Sequence, residues 1–196
     1  MNRFLKHWRR TGRGDAYRAH VVSYADDFVV LSRGHAGETL AWMRQVMTRL
    51  GLALNETKSV IRDARHERFD FFGCSFGSHR YRQDGHWYLR ASRSKKSVLR
   101  LKAKVSDILV SSNKGIWFEM RDRLNRLLRG WSTYFDYGTR LPAYRAVDNH
   151  VGDRVCDFLV RRHKVPSHGT SRFPREAVFG AFGVYHLRRI HLGPSP

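Results

Sequence analysis

Asp26 and Asp27 stand between apolar runs in "YADDFVVL", residues Tyr24 to Leu31. Adjacent charges in such a setting cost desolvation energy unless something pairs with them. A carboxylate pair at the apex of a strand turn offers the oxygen ligands that Mg2+ prefers. That ion commonly takes only one or two protein carboxylates together with substrate phosphates. Two such ions clamp the attacking and leaving oxygens in nucleotidyl transfer. The plain alternative is an Asp-Asp turn with no ligand. The order aromatic, small, Asp, Asp inside an apolar hairpin favours the metal reading, because average residue usage gives that word in roughly one chain per thousand of this length. Adjacent residues on an extended segment point to opposite faces, so both carboxylates cannot easily reach the same ions.

The elements around the pair must hold it. "RAHVVSYADDFVVLSR" reads as two short strands around a tight turn at Ala25-Asp26-Asp27. "MNRFLKHWRR" reads as the end of a helix with Phe4, Leu5 and Trp8 on one side, broken by "TGRGD". "GETLAWMRQVMTRLGL" places Leu40, Met43, Val46, Met47 and Leu50 at a helical period, with Gly51 suited to end it. "LALNETKSVI" predicts strand, Asn-Glu turn, strand. "RFDFFGCSFG" predicts an aromatic strand and "HWYLRAS" another, with "RQDG" as the hairpin turn between them. This order predicts an α+β fold, with a mixed domain over 1–90.

After Ser92 the pattern turns helical. Val98, Leu101, Val105, Ile108 and Leu109 share one face, and Arg93, Lys96, Arg100 and Lys104 line another. Met120, Leu124, Leu127, Leu128 and Trp131 repeat the arrangement, as do Tyr144, Val147, Val151, Val155, Phe158 and Leu159. Three amphipathic helices with short connections predict a small bundle over 91–170. "KVPSHGTSRFP" reads as a basic loop. Residues 171–196 mix "VFGAFGVYHL" with Pro and Gly and take no assignment.

Charge narrows the partner. The 196 residues hold 37 Lys and Arg against 17 Asp and Glu, a formal net charge of +20. Residues 1–90 carry 16 basic and 9 acidic side chains, and 91–196 carry 21 and 8. Arg dominates, and its planar fork suits phosphate. A basic balance with interleaved aromatics points to nucleic acid, ahead of a merely solvated basic surface or an anionic membrane. Cys74 and Cys156 are far apart and fit two reduced thiols in a cytoplasmic protein. The scattered His have no ligand spacing for zinc. No apolar stretch approaches a membrane span, and the first residues lack the apolar core of a signal peptide.

Several of these stretches, in order, resemble one family. "YADDFVVL" resembles the catalytic motif of reverse transcriptases. "GLALNETKS" is similar to the segment after the palm helix, with its Asn-x-x-Lys pattern. "FDFFGCSFG" resembles the primer-grip strand, with Phe72 where the family usually has Leu. "RLLRGWSTYFDYG" resembles the maturase, or X, domain of group II intron reverse transcriptases. The resemblance spans roughly Val21 to Lys164, and ordered motifs are more specific than any one alone.

The resemblance implies roles. Asp26 would bind the catalytic Mg2+ ions, with Asp27 as a second or supporting carboxylate. Tyr24 and Ala25 would line the nucleotide site. Lys58 would face the incoming triphosphate; as a residue it fits a solvated turn lysine equally well. Phe72 and Gly73 would touch the primer backbone, although Phe72 is also an ordinary core residue for a strand. Arg93, Lys96, Arg100 and Lys104 would lie on the template-primer duplex as part of a thumb, the alternative being a solvated helix face. Trp131, Tyr134 and Phe135 fit bundle core better than stacking platforms for bases.

A two-ion polymerase also needs a carboxylate from a separate palm strand. The only carboxylate before the motif is Asp15, in a Gly-rich turn. In the family, the first palm aspartate, the fingers and a Gln-Gly-containing segment lie upstream. The expectation is therefore a partial palm over 1–90 followed by a thumb and maturase domain, binding intron RNA, a template-primer duplex and a DNA target. Polymerase chemistry would then require an upstream reverse-transcriptase half. The alternatives are a maturase-like RNA-binding protein without polymerase activity, or a decayed remnant.

Overall fold

The computed structural model describes residues 2–80, 85–135, 137–165 and 172–188. The chain divides into two compact units, Met1–Asp63 and Ala64–Pro196, each with its own core. The sequence expectation draws its line after residue 90. Strand does give way to helix there, but the later strands pack in the same unit as the helices.

In the first unit, helix α1 (Asn2–Arg10) buries Phe4 and Trp8, four residues apart on one face. A single turn, α2 (Arg13–Ala16), follows where only a break was expected. Strands β1 (Ala19–Tyr24) and β2 (Asp27–Ser32) form an antiparallel hairpin, with Tyr24 opposite Asp27. Ala19, Val21, Phe28 and Val30 join the core, and Val22 and Leu31 stay exposed. Helix α3 (Ala36–Arg49) closes the core with Met43, Val46 and Met47. Trp42 meets Trp8 edge-on, ring centroids 5.5 Å apart, and stacks on His7 at 5.7 Å. Gly51, at φ 70°, ends α3 in a Schellman motif: Gly51 N donates to Thr48 O and Leu52 N to Met47 O.

The strand–turn–strand expected over 52–61 is not there. Only its turn forms: Asn55 Oδ1 accepts from Thr57 Oγ1 at 2.7 Å and from Lys58 N at 3.2 Å. Glu56 closes on Arg44 of α3 through two hydrogen bonds. The flanking Leu52, Val60 and Ile61 are exposed. Strand-forming side chains make a strand only where a sheet edge accepts their backbone, and none does so here.

In the second unit the expected single strand over 68–77 is a hairpin. Strand β3 (Phe69–Phe71) turns through Phe72-Gly73 into β4 (Cys74–Arg80). Phe72 has φ 49° and Gly73 φ 71°; positive φ at both central residues is the backbone of a type I′ turn. Strand β5 (Trp87–Arg93) pairs with β4 and completes a sheet of order β3-β4-β5. Of the expected "RQDG" turn, Arg82, Gln83 and Asp84 lie outside the described residues.

Helices α4 (Lys95–Ile108), α5 (Trp117–Tyr134) and α6 (Leu141–Arg162) form the bundle. Ser94 caps α4 by accepting from Ser97 N at 3.1 Å. Leu101, Val105, Leu124, Leu128, Val147, Val151 and Val155 form its buried centre, on the faces that periodicity indicates. Most of the expected basic loop, residues 166–171, lies outside the described residues. The segment left unassigned continues the core: Phe173, α7 (Arg175–Phe179) with Val178, then Val184 and Leu187.

Candidate nucleic-acid interface

The hairpin of the first unit separates the two aspartates. Asp26 sits in the two-residue turn beside Ala25, which takes a left-handed φ of 50°, and Asp27 begins β2. Both are exposed, as is Tyr24, so neither carboxylate meets the desolvation cost that its apolar neighbours suggest. Two exposed carboxylates meet the low demand of Mg2+ for protein ligands. Among the described residues no three His, Cys, Asp or Glu side chains converge on a possible ion site. Lys58 is exposed, its backbone N–H held by Asn55.

In the second unit, Lys96, Arg100 and Lys104 follow one another at four-residue intervals along the exposed side of α4. Leu101 and Val105 anchor the opposite side, which fixes the stripe outward. Arg93 does not belong to it. It ends β5, ahead of the Ser94 cap, and is 6% exposed. Its Nη2 donates to Tyr137 O, its Nη1 lies 3.5 Å from Cys74 Sγ, and its guanidinium stacks 4.9 Å from the Phe135 ring. Burial pushes its pKa down. Helical spacing counted from Arg93 misleads because the helix starts after it.

Gly73 has a packing neighbour of its own. A Cβ there would lie 2.7 Å from Phe135 Cζ, and Gly73 O accepts from Ser94 N at 2.9 Å. The turn is thereby fixed to the start of α4. The Phe72 ring meets Phe71 edge-on at 4.2 Å. The aromatics of "WSTYF" divide. Trp131 donates from Nε1 to Ser97 Oγ at 3.3 Å and packs against Tyr144, and Phe135 is buried. Tyr134 is exposed, contrary to the expectation of core.

Two polar residues that sequence reasoning passed over hold the C-terminal segment. Asp148 of α6 is 1% exposed; its carboxylate accepts from Leu187 N, Arg188 N and Arg188 Nε. Asn125 of α5 donates to Gly183 O at 2.9 Å and accepts from Tyr185 N at 2.7 Å. The available signal was a polar residue inside each apolar stripe, Asp148 next to Val147 and Asn125 next to Leu124. Arg175 reaches back to α6, donating to Asn149 and Asp153.

Charge follows the division into units. Residues 64–196 hold 26 of the 37 Lys and Arg and 11 of the 17 Asp and Glu, a net of +15. No helix among the described residues is long and apolar enough to cross a membrane. No curated protein matches the chain. Residues 98–175, from the first turn of α4 to the start of α7, match the family model described as "Group II intron, maturase-specific domain".

Proposed function

We propose that the protein binds structured group II intron RNA through the basic outer surface of its helical bundle, in the manner of a maturase. The observation that carries this reading is one of coincidence. The stretch matching the maturase-specific domain falls within a basic bundle whose α4 turns Lys96, Arg100 and Lys104 away from the core. Such cations take up phosphate contacts with release of counterions, so affinity falls steeply with salt. RNA binding is measured by fluorescence anisotropy from low to moderate salt. The expected result is a steep inverse dependence, made shallower by about one to three in log–log slope in Lys96→Ala/Arg100→Ala/Lys104→Ala. An affinity independent of salt would sink the reading.

A second reading rests on the exposed Asp26-Asp27 pair at a hairpin apex. There the pair binds Mg2+ together with a carboxylate from another polypeptide, and the assembly carries out RNA-directed DNA synthesis. In that assembly Tyr24, Ala25 and Lys58 attend the nucleotide, Phe72 and Gly73 the primer, and the α4 stripe the template-primer duplex. The resemblance of "YADDFVVL" and its following motifs supports this reading, and a DNA target belongs to it. A cytoplasmic site of action is part of the proposal, supported by the two free thiols, Cys74 and Cys156.

A further inference from the structure

The loop between α4 and α5 and the last turn of α6 enclose a cleft of about 270 Å³, lined by Ser111, Asn113, Lys114, Phe158, Arg161 and Arg162. No carboxylate lines it. The frame is fixed by its own hydrogen bonds. Asn113 donates from Nδ2 to Ile108 O at 3.0 Å and accepts from Gly115 N at 3.0 Å, which shapes the loop. Arg162 Nη1 donates to Gly115 O at 2.7 Å and the guanidinium lies over the Phe158 ring, which ties the loop to α6. Three donors remain: the Ser111 hydroxyl, the Lys114 ammonium and the Arg161 guanidinium. Among the described residues none of the three takes part in a hydrogen bond or ion pair.

Arginines in the last turn of a helix ordinarily offset its negative end. Here three of the last four carbonyls already have backbone donors. Leu159 O accepts from His163 N, Arg161 O from Lys164 N, and Val160 O from Val165 N, with Lys164 in the left-handed region at φ 50°. Arg161 is therefore free to serve an anion. A planar fork, an ammonium and a hydroxyl suit a tetrahedral oxyanion.

We infer that this cleft seats a phosphodiester group of the bound RNA, a contact point on the bundle separate from the α4 stripe. The inference rests on the RNA-binding reading above. Its test uses the full chain and two probes, a hairpin RNA and inorganic phosphate. Lys114→Ala/Arg161→Ala removes only exposed side chains and leaves the Arg162 and Asn113 bonds intact; unchanged circular dichroism verifies the fold. The expected result is roughly tenfold weaker RNA binding, with a log–log salt slope shallower by about one to two. In parallel, phosphate should shift the amide resonances of Asn113, Lys114 and Gly115 in the wild type, RNA should displace it, and the variant should show no such shift. Wild-type RNA binding that the variant retains in full, with the same slope, overturns the inference while leaving the RNA-binding reading standing. A phosphate shift with no change in RNA affinity would assign the cleft to free phosphate and equally overturn it. Absence of RNA binding by the wild type removes the parent reading itself.

Discussion

Gly73 is under two constraints that a sequence shows only as one letter. Its φ of 71° disfavours any side chain, and a Cβ would meet Phe135 Cζ at 2.7 Å. Gly51 has nearly the same φ, 70°, but open space around it. Gly51→Ala should therefore cost only the backbone penalty, about 1 kcal/mol. Gly73→Ala should cost about 2–4 kcal/mol, because overpacking adds to it. Urea denaturation of the two variants compares them directly, and equal losses would rule out the Phe135 contact as a constraint. His150 carries a pH effect. Its Nε2 lies 3.1 Å from both Lys102 O and Ser106 Oγ, between α6 and α4. Burial, and then the Lys102 and Arg154 charges, outweigh the Lys102 carbonyl and lower its pKa from the usual 6.5. Burial together with Arg68 and Arg90 lowers His79 in the same direction. With folded values below unfolded ones, the unfolded chain takes up protons first as pH falls. Stability is thus fully present above about 6.5 and declines below it. Melting curves from pH 7.5 to 5.5 should show this decline, and His150→Gln should reduce it without abolishing the share due to His79.

At the scale of elements, legibility follows periodicity. Leu101-Val105, Leu124-Leu128 and Val147-Val151-Val155 reveal their helices because a buried stripe on a helix must recur every three or four residues. The Asp26 hairpin is legible for a similar reason, since polar residues at a turn separate two apolar runs. "FDFFGCSFG" misleads because its turn has only two residues and one of them is Phe72, a side chain rarely found at positive φ. Residues 172–188 were opaque because Phe173, Val178, Val184 and Leu187 follow no period, yet all four join the bundle core. The Asp148 carboxylate holds that segment, so Asp148→Ala strands two backbone N–H groups and the Arg188 guanidinium. It should destabilise the second unit by about 2–4 kcal/mol. Limited proteolysis should then cut within 180–188 well before the wild type is touched. Equal protection in the variant would mean that apolar packing alone secures the segment.

For the whole molecule, charge and motif order were legible and assembly was not. The polymerase reading is tested at this scale: the purified chain with Mg2+, a primer and an RNA template should give no extension. Robust extension abolished in Asp26→Ala would show that the chain supplies a working centre by itself. The sequence alone determined the excess of 20 positive charges, the helical bundle and the "YADD" hairpin, because composition and local periodicity do not depend on where distant residues meet. Only tertiary structure decided that Arg93 is buried under Phe135 while Lys96, Arg100 and Lys104 face outward. It also decided that the segment over 52–61 forms no strand and that Phe173 to Leu187 complete the core. Each of these outcomes depends on a partner far away in sequence. A guanidinium, an extended backbone or an isolated apolar side chain takes its role from what it packs against.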